Sequence, residues 1–411
     1  MEETDLKSFA KSTAILIVGG GLAGVLNYVF NILVGRSLGP AQYSGFVSIL
    51  SILYIFSIPA LTIQTTAAKF SAEKRSLAAY LLQLVLYLIV PTTILICLAS
   101  PAISSALKIS NVAAVVLGMV SLLPALVVPI VLGELQGEKS FVRFSIVNLI
   151  SPVLKLVLCV AIIPFGLTLT HSVAAVTISF FLALGFGLLL HPIKKDSQPI
   201  SKETTSFIHQ YLKTATVAFA CYTVLVNIDI LAAKYFLSAE MAGNYAAVST
   251  LGKTLLFITQ PITWVMFPII TGLVADDKKH YRYVLLTLAA TGAIAGLLYI
   301  ATLAWSNQIV SLAFGPKYTF ATSILPQFTL AMFFYALTNV WLNYYLAVHK
   351  KWLGFTLTVS VILEAVLLAL FHQTILQIVD SVTIVMAATF ITLSVLYLVP
   401  KLLARQQEQS A

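Results

Sequence analysis

The chain has 411 residues, 59% of them hydrophobic and only 9% charged, with a mean hydropathy of +0.98. A soluble domain is about 45–50% apolar and about 25% charged, so a soluble globule, which needs charge to cover its surface, is excluded. The net charge of +9 fits the cationic bias of cytoplasmic loops in a polytopic membrane protein better than a nucleic-acid footprint, and no nucleic acid is expected as a partner.

Twelve apolar stretches of helix length follow one another along the chain: 12–35, 44–68, 77–100, 112–133, 145–166, 170–191, 213–236, 245–272, 283–304, 322–346, 352–371 and 380–400. Each matches the roughly 20 residues that an α-helix needs to cross a bilayer, and none shows the short alternating pattern of a barrel strand. The class is therefore all-α, a polytopic membrane protein with 12 transmembrane helices. Lys7 and Lys11 precede the first apolar run like a signal n-region, but the run is too long and marks an uncleaved first helix. No stretch between spans is long enough for a soluble catalytic domain, so no enzyme is expected. Cys97, Cys159 and Cys221 all fall in apolar runs and read as core residues, not a disulfide set. The six histidines lie at span ends or in loops, so neither a metal nor a cofactor is expected.

With the N-terminus placed in the cytoplasm, 18 Lys and Arg residues fall on the cytoplasmic side. Four, Arg36, Lys108, Lys234 and Lys317, fall on the outer side. That asymmetry puts both termini inside and supports an even number of spans. The expected organisation is an N-terminal tail (1–11), an N-lobe (12–191), a cytoplasmic linker (192–212), a C-lobe (213–400) and a C-terminal tail (401–411).

The lobes read as repeats. FNILVGRSLGPAQYSGF, from Phe30 to Phe46, lies over IDILAAKYFLSAEMAGNY, from Ile228 to Tyr245. This sets Asn31 on Asp229, Arg36 on Lys234 and Phe46 on Tyr245. LQGEKSFVRF likewise falls near AVHKKWLGF. Each lobe has an even number of helices, so the repeats should be parallel, related by an axis along the membrane normal and set around a central cavity.

Gly19, Gly21 and Gly24 satisfy the spacing of a dinucleotide-binding loop. That fold needs an acidic residue about 20 positions further on, and none occurs between Asp5 and Glu73. Close helix packing in the first span explains these glycines better.

Charges inside the membrane need a reason. Lys155 lies near the middle of the fifth span, Glu364 near the middle of the eleventh, and Asp229 and Lys253 about two turns from the outer ends of theirs. Each sits on a polar stripe at helical spacing: Asn148, Ser151 and Lys155; Thr356, Ser360 and Glu364; Lys253 and Gln260; Tyr222 and Asp229. Asn27 and Asn31 share a face of the first span, and Tyr335, Asn339 and Asn343 a face of the tenth. Such stripes face other helices or a hydrated cavity, not lipid. Asp229 and Lys253, at similar depth on a helical hairpin, are either a structural pair that neutralises itself or a functional one. Arg36 is either an interface anchor or a cavity cation. The N-lobe interior carries Lys155 and no carboxylate, which suits an anionic headgroup such as a diphosphate and not a cationic drug. Pro59, Pro91, Pro124, Pro129, Pro152, Pro261 and Pro268 fall within spans, where each removes a backbone donor.

The segments LGPAQYSGF, NIDILAAKYFLSAEMAGNYAAVSTL, IVSLAFGPKYTFATSILP and LQGEKSFVRFSIVNLISPVLKLVL resemble the polysaccharide transporter (oligosaccharide flippase) family of the multidrug/oligosaccharidyl-lipid/polysaccharide exporter (MOP) superfamily. The resemblance runs over essentially the whole chain, through diffuse motifs. It implies two six-helix lobes, alternating access, and translocation of an undecaprenyl-diphosphate-linked oligosaccharide across the cytoplasmic membrane for surface polysaccharide biosynthesis. On that reading Lys155 and Lys253, with Arg36, attract the diphosphate or acidic sugars. Asn27, Asn31, Asn148, Tyr335, Asn339 and Asn343 hydrogen-bond sugar hydroxyls. Asp229 or Glu364 carries a coupling ion, H+ or Na+, or is structural. The partners implied are the lipid-linked substrate, membrane lipid and glycan polymerase or assembly proteins. The alternative is a multidrug or small-cation antiporter of the same superfamily.

Overall fold

A computed structural model describes residues 3–72, 77–193, 202–275, 281–348, 350 and 352–410. Residues 194–201 of the expected linker, and the loop cations Lys74, Arg75, Lys194, Lys195, Lys278 and Lys279, lie outside the described residues.

Thirteen α-helices are present among the described residues: α1 (Glu3–Phe56), α2 (Pro59–Ala72), α3 (Ala78–Ala106), α4 (Val112–Val120), α5 (Leu122–Gly137), α6 (Phe141–Ile162), α7 (Leu169–Leu190), α8 (Lys202–Phe236), α9 (Ala239–Ala275), α10 (Tyr281–Phe314), α11 (Ala321–Ala347), α12 (Trp352–Leu370) and α13 (Ile375–Ser410). Among the described residues, ten stretches are long and apolar enough to cross a membrane. The chain is an all-α, multi-pass membrane protein. Tyr87, Leu189 and Leu312 are each 80% exposed, which a soluble surface would not tolerate in quantity but lipid does.

The boundaries differ from the expected spans where glycine and proline act. Gly19–Phe56 is one continuous stretch of 38 residues. At about 1.5 Å per residue it is nearly twice the ~30 Å hydrocarbon thickness. It is two helices joined at Gly39, whose φ of 71° and ψ of 172° are open to glycine and closed to other residues; Pro40 follows. The expected second span is then interrupted at Ser57 and Ile58, just before Pro59 begins α2. The expected fourth span divides at Ser121 into α4 and α5, with Pro124 in the first turn of α5. Pro91, Pro129 and Pro152, by contrast, sit inside unbroken helices. Residues 401–410 of the expected C-terminal tail are the last turns of α13.

The helices gather into two compact units. The first comprises Met1–Thr223 with Ser238–Gly243, the second Val224–Leu237 with Asn244–Ala411. Within the first, α2 packs on α5, α1 on α6, and α6 on α7. Small residues set these approaches: a Cβ on Gly133 would strike the backbone carbonyl of Gln64, and one on Gly118 the side chain of Ile49. Within the second unit α11 is central, packed against α10 and α13 and buried on nearly every face. Gly252 of α9 lies against Phe328 of α11, and Tyr245 meets the same ring edge-on at 5.7 Å.

Candidate functional site

The first unit carries an open cavity of about 300 Å³, lined by α1, α2, α5, α6 and α7 and the turn between α1 and α2. Its polar lining is Asn27, Ser57, Asn148, Ser151 and Lys155, with the phenol of Tyr54. The stripe at helical spacing on α6 is what puts Asn148, Ser151 and Lys155 on one wall. Pro124, Pro129 and Pro152 also line the cavity; a proline leaves the carbonyl one turn earlier without its amide donor, which suits a helix bordering a void. None of the lining residues is acidic.

Lys155 is 6% exposed. Its ammonium stands 5.0 Å from the centroid of the Phe30 ring, on the first span. A ring face attracts a cation but supplies neither a hydrogen-bond acceptor nor a full counter-charge. Ser151, one turn away, shares a hydrogen bond with Ser179 of α7 at 3.0 Å. The first-unit cavity is therefore a mostly apolar chamber with one desolvated cation and several amide and hydroxyl groups. A desolvated cation beside amide and hydroxyl groups offers charge and hydrogen bonds to an anion.

The second unit holds a separate polar cluster. Asp229 of α8, Tyr245 of α9 and Glu364 of α12 are 1%, 0% and 0% exposed. The Tyr245 hydroxyl donates to Asp229 Oδ2 at 2.7 Å. Asp229, Lys253 and Glu364 lie within electrostatic reach of one another. Neither carboxyl oxygen of Glu364 has a hydrogen-bond partner among the described residues.

No family model matches the sequence, and no curated protein matches it. Solved structures do. A lipid II flippase, MurJ in an inward closed conformation, superposes with a TM-score of 0.74 at 11% identity, over 92% of this chain and 86% of that one. A multidrug resistance MATE family transporter in an inward-facing conformation gives 0.72 at 14% identity, over 90% and 94%. A MOP superfamily transporter from Pyrococcus furiosus, noted for the reverse polarity of its binding pocket, gives 0.66 at 14% identity, over 94% and 96%. The fold is that of the MOP superfamily transporters.

The shared fold covers 90–94% of the chain in these superpositions and leaves function to the side chains. Of the residues expected at a site, Asn27, Asn148 and Lys155 come together in the first-unit cavity. Asn31 is half-buried beside it and donates to the Asn27 carbonyl at 2.8 Å. Arg36 is exposed and lies outside the cavity lining. In the second unit Tyr335 is fully buried, and Asn343 donates to both the carbonyl and the side-chain oxygen of Asn339 at 2.9 Å. The two asparagines therefore satisfy part of their hydrogen bonding with each other.

Sequence reasoning missed three members. Phe30 under Lys155 is one apolar residue among many in its span. Tyr245 was aligned with Phe46 but carried no sign of a bond to Asp229. Glu134, at the end of the fourth expected span, is 4% exposed and meets His191 Nε2 at 3.0 Å, with Glu138 3.7 Å from the other ring nitrogen. A Glu and a His 57 residues apart give no local signal. The glycine-rich stretch behaves as a packing element at one position: a Cβ on Gly19 would meet Ser145 Oγ at 2.7 Å, whereas Gly20, Gly21 and Gly24 face open space.

Proposed function

We propose that this protein is a flippase. It moves an undecaprenyl-diphosphate-linked oligosaccharide from the inner to the outer leaflet of the cytoplasmic membrane, by alternating access between two parallel six-helix lobes, with both termini in the cytoplasm. The observation that carries this is Lys155: a buried cation with an aromatic face and no carboxylate, set in a cavity with Asn27, Asn148 and Ser151. A desolvated cation needs an anion, and the amide and hydroxyl groups around it suit a diphosphate or acidic sugar with free hydroxyls. A volume of about 300 Å³ is at the low end for ligand pockets and fits a headgroup portion, with the prenyl chain left in lipid. The lipid II flippase among the solved structures of this fold supports the substrate class.

A cation antiporter is the second reading. It is favoured by the buried carboxylates Asp229 and Glu364 in the second unit and by the MATE transporters of the same fold.

The test is made in the source organism with the gene deleted. Lipid-linked glycan precursor accumulates on the cytoplasmic leaflet, and wild type, but not Lys155→Ala, relieves it. Normal surface glycan with no accumulation, together with efflux of cationic dyes that is lost in Asp229→Asn, establishes the antiporter instead.

A further inference from the structure

We propose that two backbone carbonyls, freed by Pro129 and Pro152, are specificity elements of the first-unit cavity, and that through them the site tells a glycan-loaded polyprenyl diphosphate from the spent, unglycosylated carrier. The inference rests on the flippase reading for the anion held at Lys155, and it adds what selects the group attached to that anion.

The register of the two prolines comes first. Pro129 lies inside α5 and Pro152 inside α6, both buried and both within unbroken helices. A proline has no amide proton, so the carbonyl four residues earlier loses its helical donor, and the ring pushes that carbonyl away from the axis. The residues four earlier are Ala125 and Asn148. Both prolines and both of these residues line the same cavity. Residues four apart share a helix face, so each freed carbonyl opens on the cavity side. Pro91 of α3 is the contrast: neither it nor Tyr87, four residues earlier, lines the cavity.

The lining does not replace the missing donors. The Ser179 hydroxyl donates to the Val176 carbonyl at 2.8 Å, so in the 3.0 Å bond between Ser151 and Ser179 the proton is that of Ser151. The Ser151 hydroxyl, beside Pro152, is therefore spent on α7 and not on the Asn148 carbonyl. On α5 the lining residues Pro124, Ala125, Val128, Pro129 and Leu132 carry no side-chain donor at all. A carbonyl without a donor at membrane depth is costly and is kept only where it is buried in protein or borders a hydrated cavity.

The two carbonyls complement Lys155. The ammonium donates and attracts negative charge; a backbone carbonyl only accepts, so it takes a hydroxyl and disfavours a phosphate oxygen. Asn148 and Lys155 are seven residues apart on α6, about 10 Å of helix rise, which separates the place for a phosphate from the place for hydroxyls. A polyprenyl diphosphate with a sugar attached satisfies both ends. The same lipid without its sugar meets Lys155 and brings no hydroxyl donor to the carbonyls.

The experiment is equilibrium binding of two probes to the purified full-length protein in nanodiscs: farnesyl diphosphate, and the same lipid with one glucose on the diphosphate. Wild type is expected to bind the glucosylated probe more tightly. Pro129→Ala and Pro152→Ala each return an amide N–H that closes the helical bond on the freed carbonyl. Each is expected to weaken the glucosylated probe by about 2- to 10-fold, the worth of one hydrogen bond, and to leave farnesyl diphosphate unchanged. Lys155→Ala weakens both probes, and Pro91→Ala neither. Thermal unfolding identifies a variant that fails to fold, and the wild-type comparison needs no variant. Equal weakening of both probes by the proline changes, or no change in either, overturns the proposal, because a proline that only shapes its helix treats the probes alike. Equal affinity of wild type for the two probes also overturns it, and leaves the flippase reading standing if Lys155→Ala still weakens both. Binding of neither probe by wild type removes that reading and the proposal together.

Discussion

The Lys155 ammonium stands over the ring of Phe30 at 5.0 Å, and this pair joins the first span to α6 at the wall of the first-unit cavity. Phe30 is fully buried, so the aromatic face is fixed and the cation is held at a set position without being neutralised. A protein built only for stability would not keep such a group, since a buried charge without a partner is costly.

Function and stability should therefore move in opposite directions at this position. Lys155→Met keeps the length of the side chain and removes the charge. It is expected to raise the thermal midpoint, corresponding to about 1–4 kcal/mol, the range found when buried charges give way to apolar side chains. Complementation of the deletion strain by the same variant is expected to fail. Thermal unfolding in detergent and glycan analysis check the two halves.

Tyr245→Phe removes the side-chain hydrogen bond to Asp229 and leaves ring packing against Phe328 intact. The cost expected is about 1–3 kcal/mol, that of leaving a buried acceptor unsatisfied. In Asp229→Leu, which has no acceptor to satisfy, the same Tyr245→Phe change should cost far less. A double-mutant cycle by thermal unfolding reads the difference.

Glu134 and His191 form a buried contact between α5 and the end of α7. His191→Ala removes the 3.0 Å contact to Glu134, which is 4% exposed, and a loss of about 1–3 kcal/mol is expected. His191→Gln retains a donor and should recover part of it. The Glu134→Ala, His191→Ala double variant should be more stable than His191→Ala alone. The measurement is again the unfolding midpoint.

Two helical glycines of the first unit should differ sharply. Gly24→Ala meets nothing within 4 Å and replaces a helical glycine, so a gain of about 0.5–1 kcal/mol is expected. Gly133→Ala drives a Cβ into the backbone of α2, which cannot rotate away as a side chain would. A loss of several kcal/mol, or failure to fold, is expected, well beyond the ordinary range for surface changes. Expression and unfolding of both variants distinguish the two outcomes.

Hydropathy alone makes the class legible, because length and apolarity are what a membrane crossing requires. The stripe of Asn148, Ser151 and Lys155 was legible too, since helical spacing places them on one wall whatever the tertiary structure. Asn27 joined them only through the packing of α1 on α6, a relation between residues over 100 positions apart. Phe30 could not be singled out, because an aromatic ring in an apolar span has the same pattern whether it faces lipid or a cation. Asp229 and Lys253 were read as a pair from depth alone; Glu364 and Tyr245 entered through packing in the second unit. The breaks at Gly39 and Ser121 show that proline marked some interruptions and not others: Pro59 and Pro124 lie in first turns, where no amide donor is lost, while Pro152 lies inside a continuous helix.

On the proposed reading, Lys155 recognises the anionic headgroup of a lipid-linked glycan. The most direct measurement is transbilayer movement of a fluorescent undecaprenyl-diphosphate oligosaccharide in proteoliposomes containing wild type, Lys155→Ala or Lys155→Arg. Movement is expected with wild type, retention with Lys155→Arg and loss with Lys155→Ala, with all three proteins equally folded. Equal movement with Lys155→Ala and wild type, or none with wild type, would contradict it.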